Sequence, residues 1–291
     1  MESGGFITRL PGHLATFSLC LVLIACCDRF AIKPWLQSKA SLAKKDFDAA
    51  RWFFVHALAN FFVCVTGVRA LFTVLCDPYN AVDSRVYGDT SMFGNASSWP
   101  LAFVNAVHVY HMLGGFKLSK DDYFHHLLFI PLLGFPGQAL LWGPVEPAGA
   151  CFISGFPGGI SYLLLGLQKL GLVVPIVEKR VTANLNAWVR MPGILLTSFI
   201  CFQGLIYGRH MLPLWALVIH VFLPPYNAIF YNKQAIANYT VHFLTSLISQ
   251  DEVIKQRLLE APDPKLKAPT GLRKDILVSW REATAVPQQG C

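Results

Sequence analysis

Charged residues are scarce in this chain: Asp, Glu, Lys and Arg make up 14% of its 291 residues, against roughly a quarter in an average soluble domain. With 54% hydrophobic residues spread along most of its length, it has more apolar surface than a soluble core hides. A concentrated basic patch is missing too. The 24 Lys and Arg against 17 Asp and Glu give +7, but they are dispersed between apolar runs, which argues against nucleic acid as a partner. Strict polar-apolar alternation is absent, which excludes the strands of a transmembrane barrel. There is no internal repeat of roughly 20 to 50 residues and no low-complexity tract. The eight cysteines show no paired metal-ligand spacing; Cys20, Cys26, Cys27, Cys64, Cys151 and Cys201 lie in or beside apolar runs, as small hydrophobes do. Cys26-Cys27, next to basic residues, is a candidate for S-acylation. No H-x-x-H-H box occurs, and neither a metal nor another cofactor is expected.

Seven runs free of Asp, Glu, Lys and Arg are present: 10–27, 52–68, 90–116, 124–145, 147–168, 191–208 and 210–232. A hydrocarbon core of about 30 Å takes about 20 helical residues, and only helices or closed barrels satisfy their backbone groups there. The fold class expected is therefore all-α, a multi-pass bundle of seven spans over 10–232 behind a short lumenal N-terminus at 1–9. The first run does not read as a cleaved signal peptide, because the basic residues Arg29, Lys33, Lys39, Lys44, Lys45 and Arg51 follow it instead of preceding it. Loop charge sets the orientation. Asp77, Asp83 and Asp89 against Arg85, and later Glu146, mark lumenal loops; Lys117 and Lys120, then Lys169, Lys179, Arg180 and Arg190, mark cytosolic ones. The N-terminus is then lumenal and the C-terminus cytosolic, with Arg209 the exception.

Two N-x-S/T patterns bear on this topology, since glycosylation is lumenal. Asn95-Ala96-Ser97 falls in a lumenal loop and Asn238-Tyr239-Thr240 on the cytosolic side, so Asn95 is the expected acceptor. The mixed stretch 233–250 reads as an interfacial helix, and 251–291, charged and containing Pro262, Pro264, Pro269 and Pro287, as a flexible cytosolic tail.

Ionisable groups inside a membrane are costly and mark candidate sites. His108 and His111 are three apart, hence on one helix face, and His125-His126 opens the next span after a short turn, so the pairs are expected to meet near the cytosolic boundary. Ser119 and Asp122 stand in the capping-box relation. Asp121 and Asp122 also stand four residues before His125 and His126, where a carboxylate orients an imidazole. The histidines can serve as general bases, as metal ligands, or as structural and headgroup-binding groups. A second polar set is Ser154-Gly155-Phe156-Pro157-Gly158-Gly159, expected to interrupt the fifth span, with Trp188 and Arg190 before the sixth, Arg190 being placed at a boundary where it can hold a lipid phosphate. The lipid-contacting candidates are His108, Ser154, Trp188 and Arg190. His56 and His220 read as isolated helix-contact residues.

Tyr110-His111, Asp122-Tyr123-Phe124-His125-His126-Leu127-Leu128, Ser154-Gly155-Phe156-Pro157 and Asn186-Ala187-Trp188-Val189-Arg190 together resemble the TLC-domain family, which includes ceramide synthases; the likeness covers about 51–232. The resemblance implies a helical membrane barrel of the same orientation, with His125 and His126 matching the paired histidines regarded as catalytic in ceramide synthases. Where those enzymes continue into a polar motif ending His-Asp-x-x-Asp, this chain continues Phe129-Ile130-Pro131-Leu132-Leu133-Gly134-Phe135-Pro136-Gly137, and His111 stands where the family carries a membrane aspartate. The leading expectation is a protein of the endoplasmic reticulum or another endomembrane that binds a lipid or acyl chain and acts in lipid homeostasis. An acyltransferase-like enzyme is the alternative, with His125 or His126 as general base, Asp121 or Asp122 as its orienting partner and His111 as a second acid or base. A metal-dependent lipid hydrolase is the third reading.

Overall fold

A computed structural model describes residues 4–39, 43–118 and 120–250. All regular structure among them is helical. Seven helical rods follow one another. The first, α1, is Gly4–Cys27, prolonged through a π turn (Asp28–Ile32) and Lys33–Gln37. Next come α2 (Lys44–Cys76) and the short α3 (Trp99–Leu113). The fourth, α4, is Lys120–Phe129, a π turn (Ile130–Gly134) and Phe135–Ala139; α5 is Val145–Ala150, a π turn (Cys151–Gly155) and Phe156–Lys169. The sixth, α6, is Pro175–Leu185, a π turn (Asn186–Arg190) and Met191–Tyr207, and α7 is Leu214–Gln250.

Five of these rods contain stretches long and apolar enough to cross a membrane: Leu10–Gln37, Asp46–Cys76, Val145–Lys169, Pro175–Tyr207 and Leu214–Ser246. Their outward faces are apolar, with Leu19, Phe61, Phe72, Phe199 and Phe222 all more than half exposed, as suits helices solvated by lipid and not by water. The chain has the character of a multi-pass integral membrane protein. Inside, small residues set the spacing, because helices in lipid associate by close van der Waals packing. One buried cluster joins Cys20 and Ile24 of α1, Ala59 and Val63 of α2, Phe103 and Ala106 of α3, and Cys151 of α5. Another joins Val74, Trp142, Val145, Cys201 and Leu217 at the far end of the bundle. The contacts tolerate no added methyl at Gly193, where a Cβ would lie 2.1 Å from the Phe152 ring, or at Gly67, 2.4 Å from Cys151 Sγ.

The four π turns share a local cause. Each ends one residue before an X-Pro pair whose proline is Pro34, Pro136, Pro157 or Pro192. Proline has no N–H, and its ring clashes with the carbonyl four residues back. Widening the preceding turn relieves that clash: the residues before the prolines, Lys33, Phe135, Phe156 and Met191, donate their N–H groups to carbonyls five residues back, those of Asp28, Ile130, Cys151 and Asn186. The expected break at Pro157-Gly158-Gly159 is thus a bulge in a continuing helix. Three other boundaries move. Helix α4 ends at Ala139 and its C-cap Leu140 is extended, short of the expected 145. Helix α6 begins at Pro175, so Arg190 lies behind 11 residues of α-helix at the end of a five-residue π turn, well inside the rod and not at its boundary. The seventh helix runs unbroken for 37 residues to Gln250, so 233–250 continues it instead of forming a separate element. The stretch 251–291 lies outside the described residues.

Candidate functional site

Wide turns leave carbonyls without their helical donors, and polar side chains collect around them. The Gly134 carbonyl in the α4 π turn accepts Asn105 Nδ2–H at 3.0 Å, and Asn105 also donates to Gln138 Oε1 at 2.9 Å. The Ile153 carbonyl in the α5 π turn accepts Arg190 Nε–H at 2.8 Å. At the first π turn the feature is a carboxylate. Asp28 is completely buried and is held by Arg51, whose Nε–H lies 2.9 and 3.0 Å from the two carboxylate oxygens and whose Nη2 also pairs with Oδ2. Tyr110 donates its hydroxyl to the same carboxylate at 2.6 Å. The guanidinium also lies 4.4 Å from the Phe116 ring centroid, a cation–π contact.

Beside this network four imidazoles come together from α2, α3 and α4. His126 lies 5.1 Å from both His108 and His111, centroid to centroid, and His56 lies 6.1 and 5.9 Å from the same two. Trp52 stacks on His111 at 3.3 Å with 24° between planes and meets His56 edge-on at 3.4 Å. Tyr162 of α5 closes the group, 4.5 Å from His56. His56, His111 and His126 are each no more than 4% exposed. Two rings are held by their own helices: Nδ1–H of His108 donates to the Val104 carbonyl at 2.6 Å and that of His56 to the Trp52 carbonyl at 3.3 Å. A neutral ring held through Nδ1–H carries its basic lone pair on Nε2.

Of the residues singled out from sequence, His108, His111 and His126 meet here. Asp121, Asp122 and His125 stand on the helix Lys120–Phe129, but their side chains lie outside the described ones. Trp188 is 79% exposed and points away from the bundle, apart from Arg190. Ser154 is half-buried. Asn95 is buried, its Oδ1 accepting the Asp89 N–H at 3.2 Å, and Ser97 Oγ donates to the Met92 carbonyl at 2.8 Å. Cys26 is exposed and Cys27 partly so.

His56 and His220, expected to stand alone, do not. His56 completes the imidazole cluster. His220 places Nε2 3.4 Å from Glu146 Oε1 and its ring 4.0 Å from Trp142. The Asp28-Arg51-Tyr110 network was also missed, for want of any local signal: Asp28 and Tyr110 are 82 positions apart. Among the described residues no three or more His, Cys, Asp or Glu are placed to share a metal ion.

Away from the imidazoles, α1, α2 and α5 enclose an apolar groove of about 760 Å³, lined by Ile32, Trp35, Ala57, Phe61, Gly159 and Leu163 among others. Trp35 packs edge-on against Phe54 at 5.1 Å and lies under Lys39 Nζ at 5.8 Å. The chain matches no protein-family model, no curated protein and no solved structure.

Proposed function

We propose that this chain is a TLC-like multi-pass protein of the endoplasmic reticulum or another endomembrane that binds a lipid or acyl chain and serves membrane lipid homeostasis. The observation that carries this reading is the apolar groove on α1, α2 and α5, whose size falls in the range of about 300 to 1,000 Å³ usual for small-molecule sites and whose wall helix α2 carries His56 on its imidazole side. Trp35 and Lys39 at its end suit the membrane interface, where aromatic and basic side chains anchor a helix. In this arrangement all seven rods traverse the bilayer, with the N-terminus lumenal and the C-terminus cytosolic.

Native mass spectrometry of the protein purified in mild detergent tests the reading. A co-purifying lipid, reduced by Gly159→Leu, which fills the groove, is expected; a parent protein that carries no lipid and takes up none from vesicles overturns it. A C-terminal reporter in intact microsomes tests the topology, and protection of the tail from protease would refute it.

The imidazole cluster favours a second reading, an enzyme on the same scaffold. In it His126 or His125 is the general base, oriented by Asp122 or Asp121, and His111 is the second acid or base. Replacement of His126 or His111 by Gln that preserves lipid binding but abolishes turnover of an added acyl acceptor would select this reading over simple binding.

A further inference from the structure

The bundle holds a cation that no acidic side chain among the described residues pairs with. Arg190, half-buried on α6, donates to the Ile153 carbonyl and, through Nη1–H at 3.1 Å, to Asn186 Oδ1. Among the described residues no carboxylate forms an ion pair with it. A guanidinium stays charged in proteins, and an unbalanced charge at this depth is costly. Part of its role is structural. The residue four positions after Ile153 is Pro157, which has no N–H to give, and Arg190 Nε–H takes its place. With the bond to Asn186, that accounts for two donors of five and leaves Nη2 without a role.

A second buried group points to the same place. Asn60 of α2 is 1% exposed, and neither its Nδ2 nor its Oδ1 has a hydrogen-bonding partner among the described residues. Native interiors seldom leave an amide so, since each unmet group loses its hydration with nothing in return. Asn60 Nδ2 and Arg190 Nη2 converge over Gly158: a Cβ there would lie 2.8 Å from the first and 3.8 Å from the second. Two donor nitrogens thus lie over Gly158, one of three glycines on this stretch of α5 with Gly155 and Gly159. Tyr162, one helical turn on, is close enough to Arg190 to interact electrostatically and touches His56, linking this corner to the imidazole cluster.

We propose that Arg190 Nη2 and Asn60 Nδ2, over the bare backbone of Gly158, bind the anionic oxygen of an amphiphile, a carboxylate or phosphate carried on an acyl chain. The ligand class of the bundle is then an acidic lipid and not a neutral one. The assignment rests on the lipid-binding reading above and adds the charge of the headgroup to it. Charge-assisted N–H···O bonds are the strong ones, and a guanidinium with an adjacent amide matches either oxyanion.

The test uses the full chain in nanodiscs of zwitterionic lipid, with palmitic acid, 1-palmitoyl lysophosphatidic acid and hexadecanol as probes of equal chain length. At least one acid is expected to bind about tenfold more tightly than the alcohol, and which one does so separates a carboxylate from a phosphate source. Arg190→Gln is expected to abolish the preference of the acids over hexadecanol. Because Arg190 also supports the Ile153 carbonyl, two variants that retain it carry the test if Arg190→Gln does not fold. Asn60→Asp supplies an internal counter-ion of nearly the same shape, and Gly158→Ala occupies the space; each is expected to reduce the acid preference about tenfold. Equal binding of acids and alcohol by the parent, or an undiminished preference in Asn60→Asp, overturns the assignment. Binding of none of the three probes overturns the lipid-binding reading itself, a different result from loss of preference.

Discussion

Removing either partner of the Asp28–Arg51 pair should have very unequal effects. Asp28 has no exposure, whereas the Arg51 side chain retains 15% and lies over Phe116. Arg51→Leu leaves a carboxylate in the bundle with only the Tyr110 hydroxyl for support, and stranding a buried charge costs about 3 to 5 kcal/mol. Asp28→Asn keeps an oxygen that still accepts from Arg51 and Tyr110, while the guanidinium keeps its ring contact and some access to solvent. The loss is then that of charge assistance, about 1.5 kcal/mol. The double variant Asp28→Asn, Arg51→Leu strands no charge and should be more stable than Arg51→Leu alone by about 2 kcal/mol, so the two single losses do not add, as expected within one shared network. For a chain of this size about 2 to 4 °C of Tm accompanies each kcal/mol, so Arg51→Leu should melt roughly 10 °C below the parent. The double variant should recover about half of that loss. Tryptophan fluorescence of the full chain during heating, in one detergent throughout, reads all four species. Equal losses from the two single variants, or a double variant showing their simple sum, would refute the reasoning.

Gly193→Ala should destabilise by about 1 to 3 kcal/mol, reversing the usual helix preference for alanine, because its Cβ would lie 2.1 Å from the Phe152 ring; a raised Tm would show that Phe152 moves aside freely. Gly12→Ala, with nothing within 4 Å, is the control and should be neutral or better. The loop of Asp77, Asp83 and Asp89 should loosen in acid. Hydrogen bonds from Asn80 and Tyr87 hold Asp77 below its ordinary value of 3.8, Arg85 does so for Asp83, and Ser91 with Arg69 for Asp89. Groups whose folded values are depressed contribute stability that is present above the ordinary carboxylate range and lost as pH falls through the folded values. Amide protection factors over 77–98, with the intrinsic pH dependence of exchange divided out, should therefore be unchanged from pH 7 to about 5 and fall below the ordinary carboxylate value of about 3.9, and Asp77→Asn should remove part of that fall. Pro157→Ala returns an N–H to the Ile153 carbonyl and should make Arg190→Gln less destabilising by about 1 kcal/mol; strict additivity of the two would show that the guanidinium does not stand in for the proline's missing donor.

Some of this architecture is present in composition and spacing alone. Runs of about 20 uncharged, apolar residues must be helical in lipid, because no other local structure satisfies the backbone there, and five of the rods are long and apolar enough to cross a membrane. The three-residue spacing of His108 and His111, followed after a short turn by His126, also brings the imidazoles together, since helix period and loop length are local properties. Other features depend on what packs opposite. Whether Pro157-Gly158-Gly159 breaks a helix or widens it to a π turn depends on a donor for the Ile153 carbonyl, and that donor comes from Arg190, 37 positions on. The boundary of α6 shifts for a related reason: a cationic residue reads as a loop marker until a carbonyl and an amide are shown to receive it inside the bundle. Asp28 with Arg51 and Tyr110, His220 with Glu146, and His56 with the other imidazoles have no shared sequence period. Long-range pairs of this kind are set by which helix faces meet, and the faces meet where glycines such as Gly67 and Gly193 let the backbones approach, a distance that only the assembled bundle determines.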